Sequence, residues 1–295
     1  MKKSLMEKMV CPACKNKLDL QDKLICRICG KQYDIIEGIP NFLSDRSAGD
    51  NNIAAESQDL DEEMQFYENL YTDLNGLDDG HCVVYGYKEL YDFMEGIHAG
   101  SLLDLGCGAG HHSKDLSLRG FEVTGVDISL NGLKHATKLS QANNQEIDFI
   151  VGDIENLPFD DNSFDVVFCG LILHHFPKKE KVLMEISRVC RKYMVAFEVN
   201  SYDPISFVRF NILNPTIGIH NITKNQRTVS PVRLQKDLTR LGFNNFAFEF
   251  VDVHHHIGRY PDSFKSTLLK YYQKLNMVLP SKCHANKFMM KCQKV

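Results

Sequence analysis

Residues 101–129 read SLLDLGCGAGHHSKDLSLRGFEVTGVDIS. A short apolar run, SLLDL, passes into a glycine turn, the turn opens onto a helical stretch near His111, and a second apolar run, FEVTGV, follows. The alternation continues through IDFIV, FDVVFC and YMVAFEV, with helical stretches after FDVVFC and between the earlier runs. Short buried strands alternating with helices are the pattern of a parallel sheet joined by crossover helices. Farther on, the spacing predicts a helix over Pro231–Leu241, a strand over Phe243–Val253 and an apolar stretch, Lys287–Cys292, placed to close the sheet. The expected fold is therefore α/β, doubly wound and mostly parallel. In such sheets ligands sit beyond the carboxyl ends of the strands at the topological switch point, so the chemistry is expected just after each strand.

The turn after the first strand runs Asp104, Leu105, Gly106, Cys107, Gly108, Ala109, Gly110. Its glycines permit close backbone approach to a ligand, although many nucleotide folds use such turns. Its last glycine comes one residue early for a dinucleotide fingerprint, and Asp104 sets an anion near the place a pyrophosphate would need. A ligand with an ammonium group and no phosphate suits that acid, which points to S-adenosylmethionine. The second strand ends at Asp127, where a carboxylate can accept from both ribose hydroxyls, and the third is followed by Asp153, within reach of an adenine amino group. Singly, each acid is as readily a turn or cap residue. Together they match the amino, ribose and adenine donors of one cofactor.

LLDLGCGAGHHS, VTGVDIS and VGDIENLPFDDNSFDVVFC resemble the successive motifs of class I S-adenosylmethionine-dependent methyltransferases, most like the group of ubiquinone and menaquinone biosynthesis enzymes. The resemblance covers roughly residues 85–200 and implies a seven-stranded methyltransferase sheet. It also implies that Gly106, Gly108 and Gly110, with Cys107 in the same turn, approach the methionyl and ribose moieties. Asp127 then holds the ribose, Ile128 packs on adenine, and Asp153 with Ile154 reads the adenine edge.

Of ten cysteines, four form two CxxC pairs, Cys11/Cys14 and Cys26/Cys29. Eleven residues between the pairs place four thiolates on two tight turns, a spacing suited to tetrahedral Zn²⁺ in a closed, structural site. A redox CxxC is the alternative. With its tail YDIIEGIPNFL, this segment resembles the zinc ribbons that precede some bacterial methyltransferases, one group of which modifies guanine in ribosomal RNA. Charge marks the boundary. Residues 1–31 hold eight Lys or Arg against three acids, a balance of +5, whereas residues 45–80 hold eleven acids against Arg46, a balance of -10. SDRSAGDNNIAAESQD is polar, lacks sustained periodicity and reads as a linker. The expected domains are a zinc ribbon over 1–45, an acidic linker and helical lead-in over 46–84, and a methyltransferase domain over 85–295 with a cap-like insertion near 200–231. In the lead-in, Leu60, Met64, Tyr67, Tyr71 and Leu74 recur at helical spacing and read first as core packing, and a second helix is expected over Tyr87–Glu95.

With 43 % hydrophobic and 24 % charged residues and a net charge of -4, the chain has an ordinary globular composition. That excludes a disordered or collagen-like protein. No apolar run reaches a membrane span and no signal-peptide core precedes the first cysteine, so a cytoplasmic protein is expected. The candidates for a general base are His174 and His175 in LILHHF after the fourth strand and Glu198 after the fifth. Helix capping is the alternative for both histidines, and capping or solvent contact is expected of His111 and His112. His254, His255 and His256 alternate faces on an extended chain and make a poor ligand set. The expected acceptor is a small molecule or a lipid-linked intermediate. RNA docked through Lys15, Lys17 and Arg27 is the alternative, and a non-catalytic role in which the ribbon docks a protein partner is a further one.

Overall fold

The first elements are built on two matching turns. A short helix α1 (Lys3–Lys8) leads into the knuckle Cys11–Asn16, and the same backbone pattern recurs at Cys26–Lys31. In the first, the Lys15 N–H donates to the Cys11 carbonyl at 2.7 Å and the Cys11 N–H to Asn16 at 2.8 Å. In the second, Gly30 donates to Cys26 and Cys26 to Lys31, each at 2.9 Å. Strands β1 (Asp19–Leu20) and β2 (Leu24–Ile25) form the hairpin between the knuckles, and β3 (Gln32–Ile36) and β4 (Ile39–Asn41) form the hairpin after them. This computed structural model describes residues 2–43, 54–73, 87–98, 100–217, 223–251 and 285–295. Leu74 and the histidines at 254–256 lie outside the described residues.

Helix α2 (Ala54–Asp73) and helix α3 (Tyr87–Phe93) come next. The helix α2 starts inside the polar stretch read as a linker, so that reading runs too far: its alanines and acids favour helix, and α2 packs on a later helix. The alternating segment follows: β5 (Ser101–Leu105), α4 (His111–Leu118), β6 (Glu122–Asp127), α5 (Leu130–Ala142), β7 (Asp148–Val151), β8 (Phe164–Gly170), α6 (Glu180–Val189) and β9 (Cys190–Val199). Every residue of β5 is buried, as a strand covered by helices on both faces requires. In α6, Val182, Leu183, Ile186 and Val189 bury one stripe at helical spacing. Residues Pro204–Ile217 form a run of helical turns that starts with α7 (Pro204–Phe207), capped by Asp203, and ends with α8 (Asn214–Ile217). Helix α9 (Pro231–Arg240), capped by Ser230 with Pro231 in its first turn, precedes β10 (Phe243–Val251) and β11 (Lys287–Lys294).

The seven later strands stand in the order β7-β6-β5-β8-β9-β11-β10, parallel from β7 to β9, with β11 antiparallel between β9 and β10. The apolar stretch at 287 therefore does complete the sheet. After β7 the chain returns to the other side of β5, so the switch point lies at the carboxyl ends of β5 and β8.

The ribbon is not a detached module. β4 pairs in parallel with β7 at Asn41 and Val151, the Phe42 N–H donates to the Val151 carbonyl at 2.9 Å, and Met9 bridges Phe159. The strands of the ribbon continue the sheet to eleven. Met9, Leu24, Tyr33 and Phe42 belong to one apolar cluster with Ile150, Phe159 and Phe164. Phe159 is fully buried at this seam, its ring 4.8 Å edge-on from Phe164. We expect Phe159→Ala to cost about 3–5 kcal/mol, read as a lower urea midpoint with one cooperative transition for ribbon and sheet together.

Candidate functional site

At the switch point the glycine turn is fastened to β6. Gly106 and Cys107 both donate to the Val126 carbonyl, at 2.8 and 3.1 Å. The Asp127 carboxylate accepts from the Gly108 N–H at 2.8 Å with one oxygen and from the Ser129 N–H at 2.9 Å with the other. Burial pushes the Asp127 carboxyl up, against those two N–H groups. Gly110 begins α4 with φ +80, and a Cβ there would come within 2.7 Å of Ala136 on α5, so glycine is required both by conformation and by the approach of the two helices. Ser129 caps α5 through the Gly132 N–H, and the Glu68 carboxylate on α2 accepts from the next amides, Leu130 and Asn131. A carboxylate at a helix N-terminus is favourably placed.

A cavity of about 380 Å³ opens over this turn, and Gly106, Asp127, Ile128, Asp153 and Ile154 are among its lining residues. Asp153 also closes its own loop, accepting from the Glu155 N–H at 2.9 Å. Cys107, Gly108 and Gly110 lie in the turn beneath and do not line the cavity. Nor does Asp104: it is 1 % exposed and one of its oxygens accepts from the Ser113 hydroxyl on α4 at 2.6 Å.

The three base candidates separate. The turn Leu173–His175 carries two imidazoles whose ring centres lie 4.3 Å apart but whose partners differ. Glu198 is fully buried and accepts from the Ile172 and Leu173 N–H groups at 2.8 and 2.5 Å and from His174 Nδ1 at 3.0 Å. Burial pushes His174 down to about 4, so it stays neutral and donates to the carboxylate. His174 and Glu198 thus hold the turn from behind and are absent from the cavity wall. His175 is on that wall. Its Nδ1 is 3.4 Å from Glu63 and its Nε2 3.3 Å from the Tyr67 hydroxyl. Glu63 Oε1 is buried with no hydrogen-bond partner.

Glu63, Tyr67 and Tyr71 all line the cavity. Helical spacing finds the two tyrosines but reads them as core, and nothing in that spacing marks Glu63. The clue, visible only afterwards, is an acid four residues before a tyrosine on the inward face. His112, partly buried, contacts the Tyr91 hydroxyl at 3.3 Å and the Phe168 ring, and desolvation pushes it down to about 3. Of the segment 200–231, Asn225 reaches the cavity.

At the ribbon, the four sulfurs of Cys11, Cys14, Cys26 and Cys29 lie within 4.8 Å of one another. Four zinc–thiolate bonds of about 2.3 Å need sulfurs about 3.8 Å apart, which this cluster allows. Lys15, Lys17 and Arg27 are each engaged within the protein, by Glu185, Asp160 and Asp19. Among the described residues no helix is long and apolar enough to cross a membrane.

Comparison with known proteins agrees with this geometry. Residues 103–194 match the model described as a methyltransferase domain, and residues 2–38 match that of Trm112p-like proteins. An uncharacterized methyltransferase of Bacillus subtilis is 35 % identical over 104 residues, covering 35 % of this chain and 41 % of that protein. A demethylmenaquinone methyltransferase of Renibacterium salmoninarum is 34 % identical over 100 residues, 34 % of this chain and 40 % of that protein. The matches thus span less than half the length of these relatives. Among solved structures, an S-adenosylmethionine-dependent methyltransferase from Thermotoga maritima superposes with a TM-score of 0.55 at 16 % identity, over 78 % of this chain and 99 % of that one, which shows the shared fold.

The buried Asp104 carboxyl gives a test of this site by pH. Burial pushes it from 3.8 up to about 7, against the Ser113 hydroxyl bond and with the Asp127 charge adding to the rise. A carboxyl raised on folding binds its proton more tightly folded than unfolded, so its stabilising contribution is present below about pH 4 and is lost as pH rises to about 7. We expect Asp104→Asn, which keeps an acceptor for Ser113, to flatten the fall of the urea midpoint over that window relative to wild type.

Proposed function

Because residues 103–194 belong to the methyltransferase-domain family, we propose that this protein is an S-adenosylmethionine-dependent methyltransferase acting on a small-molecule or lipid-linked acceptor. One observation carries the reading: Gly106, Asp127, Ile128, Asp153 and Ile154 share a cavity with His175, Glu63 and Tyr67. The first set offers carboxylates for ribose and amino donors and apolar side chains for an adenine ring. The second offers a proton acceptor where a methyl acceptor would lie. Bound there, S-adenosylmethionine supplies an electrophilic sulfonium methyl group for in-line attack.

The residues of the chain have three tasks. Asp127 and Asp153 orient the cofactor, and a fixed orientation removes much of the entropic barrier to the transfer. Ile128, Ile154, Leu171 and Phe176 exclude water from the cavity. With Nδ1–H donating to Glu63, His175 carries its lone pair on Nε2, and the Tyr67 hydroxyl now bonded there marks where an acceptor O–H or acidic C–H would deliver its proton. In this reading His174 and Glu198 are positioning residues that fix the turn carrying His175. Residues 85–295 form the catalytic domain, the lead-in over 46–84 contributes α2 to its cavity, and the ribbon over 1–45 holds a structural zinc on Cys11, Cys14, Cys26 and Cys29.

A lipid-linked acceptor is supported by the demethylmenaquinone methyltransferase relative and by the exposed apolar side chains Phe207, Val208, Ile212 and Leu213 in the 200–231 segment. The ribbon lends RNA little support, since the cations named for it face acids of the same chain.

Purified protein incubated with tritiated-methyl S-adenosylmethionine and separate RNA, protein, lipid and small-metabolite fractions should label the lipid or small-metabolite fraction. Nuclease-sensitive label would overturn the acceptor assignment. With that acceptor, His175→Ala should lower kcat by about 10²-fold or more while the KM for the cofactor changes little, and an unchanged rate removes the base. Asp127→Ala should abolish calorimetric binding of S-adenosylhomocysteine.

A further inference from the structure

The second knuckle has Gly30 in the left-handed conformation that closes the turn, φ 76, and the first has Lys15 in the same place with φ 56. A lysine there carries a steric penalty that glycine avoids. Its side chain accounts for the choice. Lys15 Nζ leaves the ribbon and donates to Asn156 Oδ1 at 2.9 Å and to the Leu157 carbonyl at 3.1 Å, with Glu185 3.6 Å away. Glu185 in turn accepts from the Leu157 N–H at 2.7 Å, and Arg188 donates to the same Leu157 carbonyl at 3.1 Å. One residue on, the Val10 N–H takes the Pro158 carbonyl at 2.9 Å, and Phe42 holds Val151 at the other end. The segment 151–158 is therefore gripped at both ends by the ribbon, and it carries Asp153 and Ile154 into the cavity.

We propose that Lys15 is a positioning residue for the cofactor, and that the ribbon's role in this chain is to set the Asp153–Leu157 loop at its binding height. The inference rests on the methyltransferase reading of the cavity. It accounts for a metal-binding element fused to the edge of the sheet beside the adenine side of the site, and for a lysine that is turned towards a neighbouring loop. The four thiolates fix the turn from which Lys15 reaches, so loss of the metal should loosen the same loop.

The test uses the full chain and two measurements, calorimetric binding of S-adenosylhomocysteine and amide hydrogen exchange. Lys15→Met should weaken binding about tenfold and speed exchange at Asp153–Leu157, with the amides of the glycine turn at 106–110 unchanged. Lys15→Arg, which keeps a donor, should restore most of the affinity. Wild-type protein treated with a chelator should show faster exchange in the same loop. Unchanged affinity and unchanged loop exchange in Lys15→Met would overturn the proposal. If Lys15→Met fails to fold, the chelator arm decides alone: exchange confined to the ribbon would overturn it. Failure of wild-type protein to bind S-adenosylhomocysteine would instead count against the functional reading.

Discussion

Asp127 is one carboxylate that holds two backbone segments to a third, and the site depends on it. Its two oxygens bind the Gly108 and Ser129 amides, so the glycine turn after β5 and the start of α5 are held at the end of β6 by a single side chain. A buried anion is costly unless hydrogen bonds compensate it, and here the compensating donors are backbone groups of the glycine turn and of the cap of α5. Glu68 repeats the device one step outward, taking the Leu130 and Asn131 amides and so fastening α2 to the start of α5. The aromatic wall made by Tyr67 and Tyr71 stands on that fastening.

Much of this was legible in the residues because the chemistry is concentrated in short contiguous stretches after strands. A glycine turn, an acid at a strand end and a CxxC pair each carry their constraint within a few positions, and the strand-helix alternation fixes their relative places. Relations between distant segments were not legible. Periodicity shows that Tyr67 and Tyr71 share an inward face but cannot distinguish a packed interior from a cavity wall, and Glu63 carries no local mark. Asp104 also follows a strand by local spacing, but its hydrogen bond to Ser113, nine residues later, is not marked by that spacing. The pairing of Asn41 with Val151 joins residues more than a hundred positions apart, which no local pattern encodes.

The neighbouring histidines show how one local conformation divides labour. Of two imidazoles in mutual contact, burial keeps His174 neutral against Glu198, and His175 lines the cavity. His174 and Glu198 are buried together, and His175 is bounded by a carboxylate and a phenol from α2. The same dipeptide thus contains a scaffold and a reactive candidate, and only three-dimensional context separates them.

The place where the ribbon joins the sheet has a consequence apart from ligand binding. Without it, β7 would be the outermost strand on its side, and a bare strand edge is a template on which other chains can add. β4 and Phe42 occupy the carboxyl end of that edge. The ribbon thereby covers part of a strand edge that would otherwise be open to pairing with another chain.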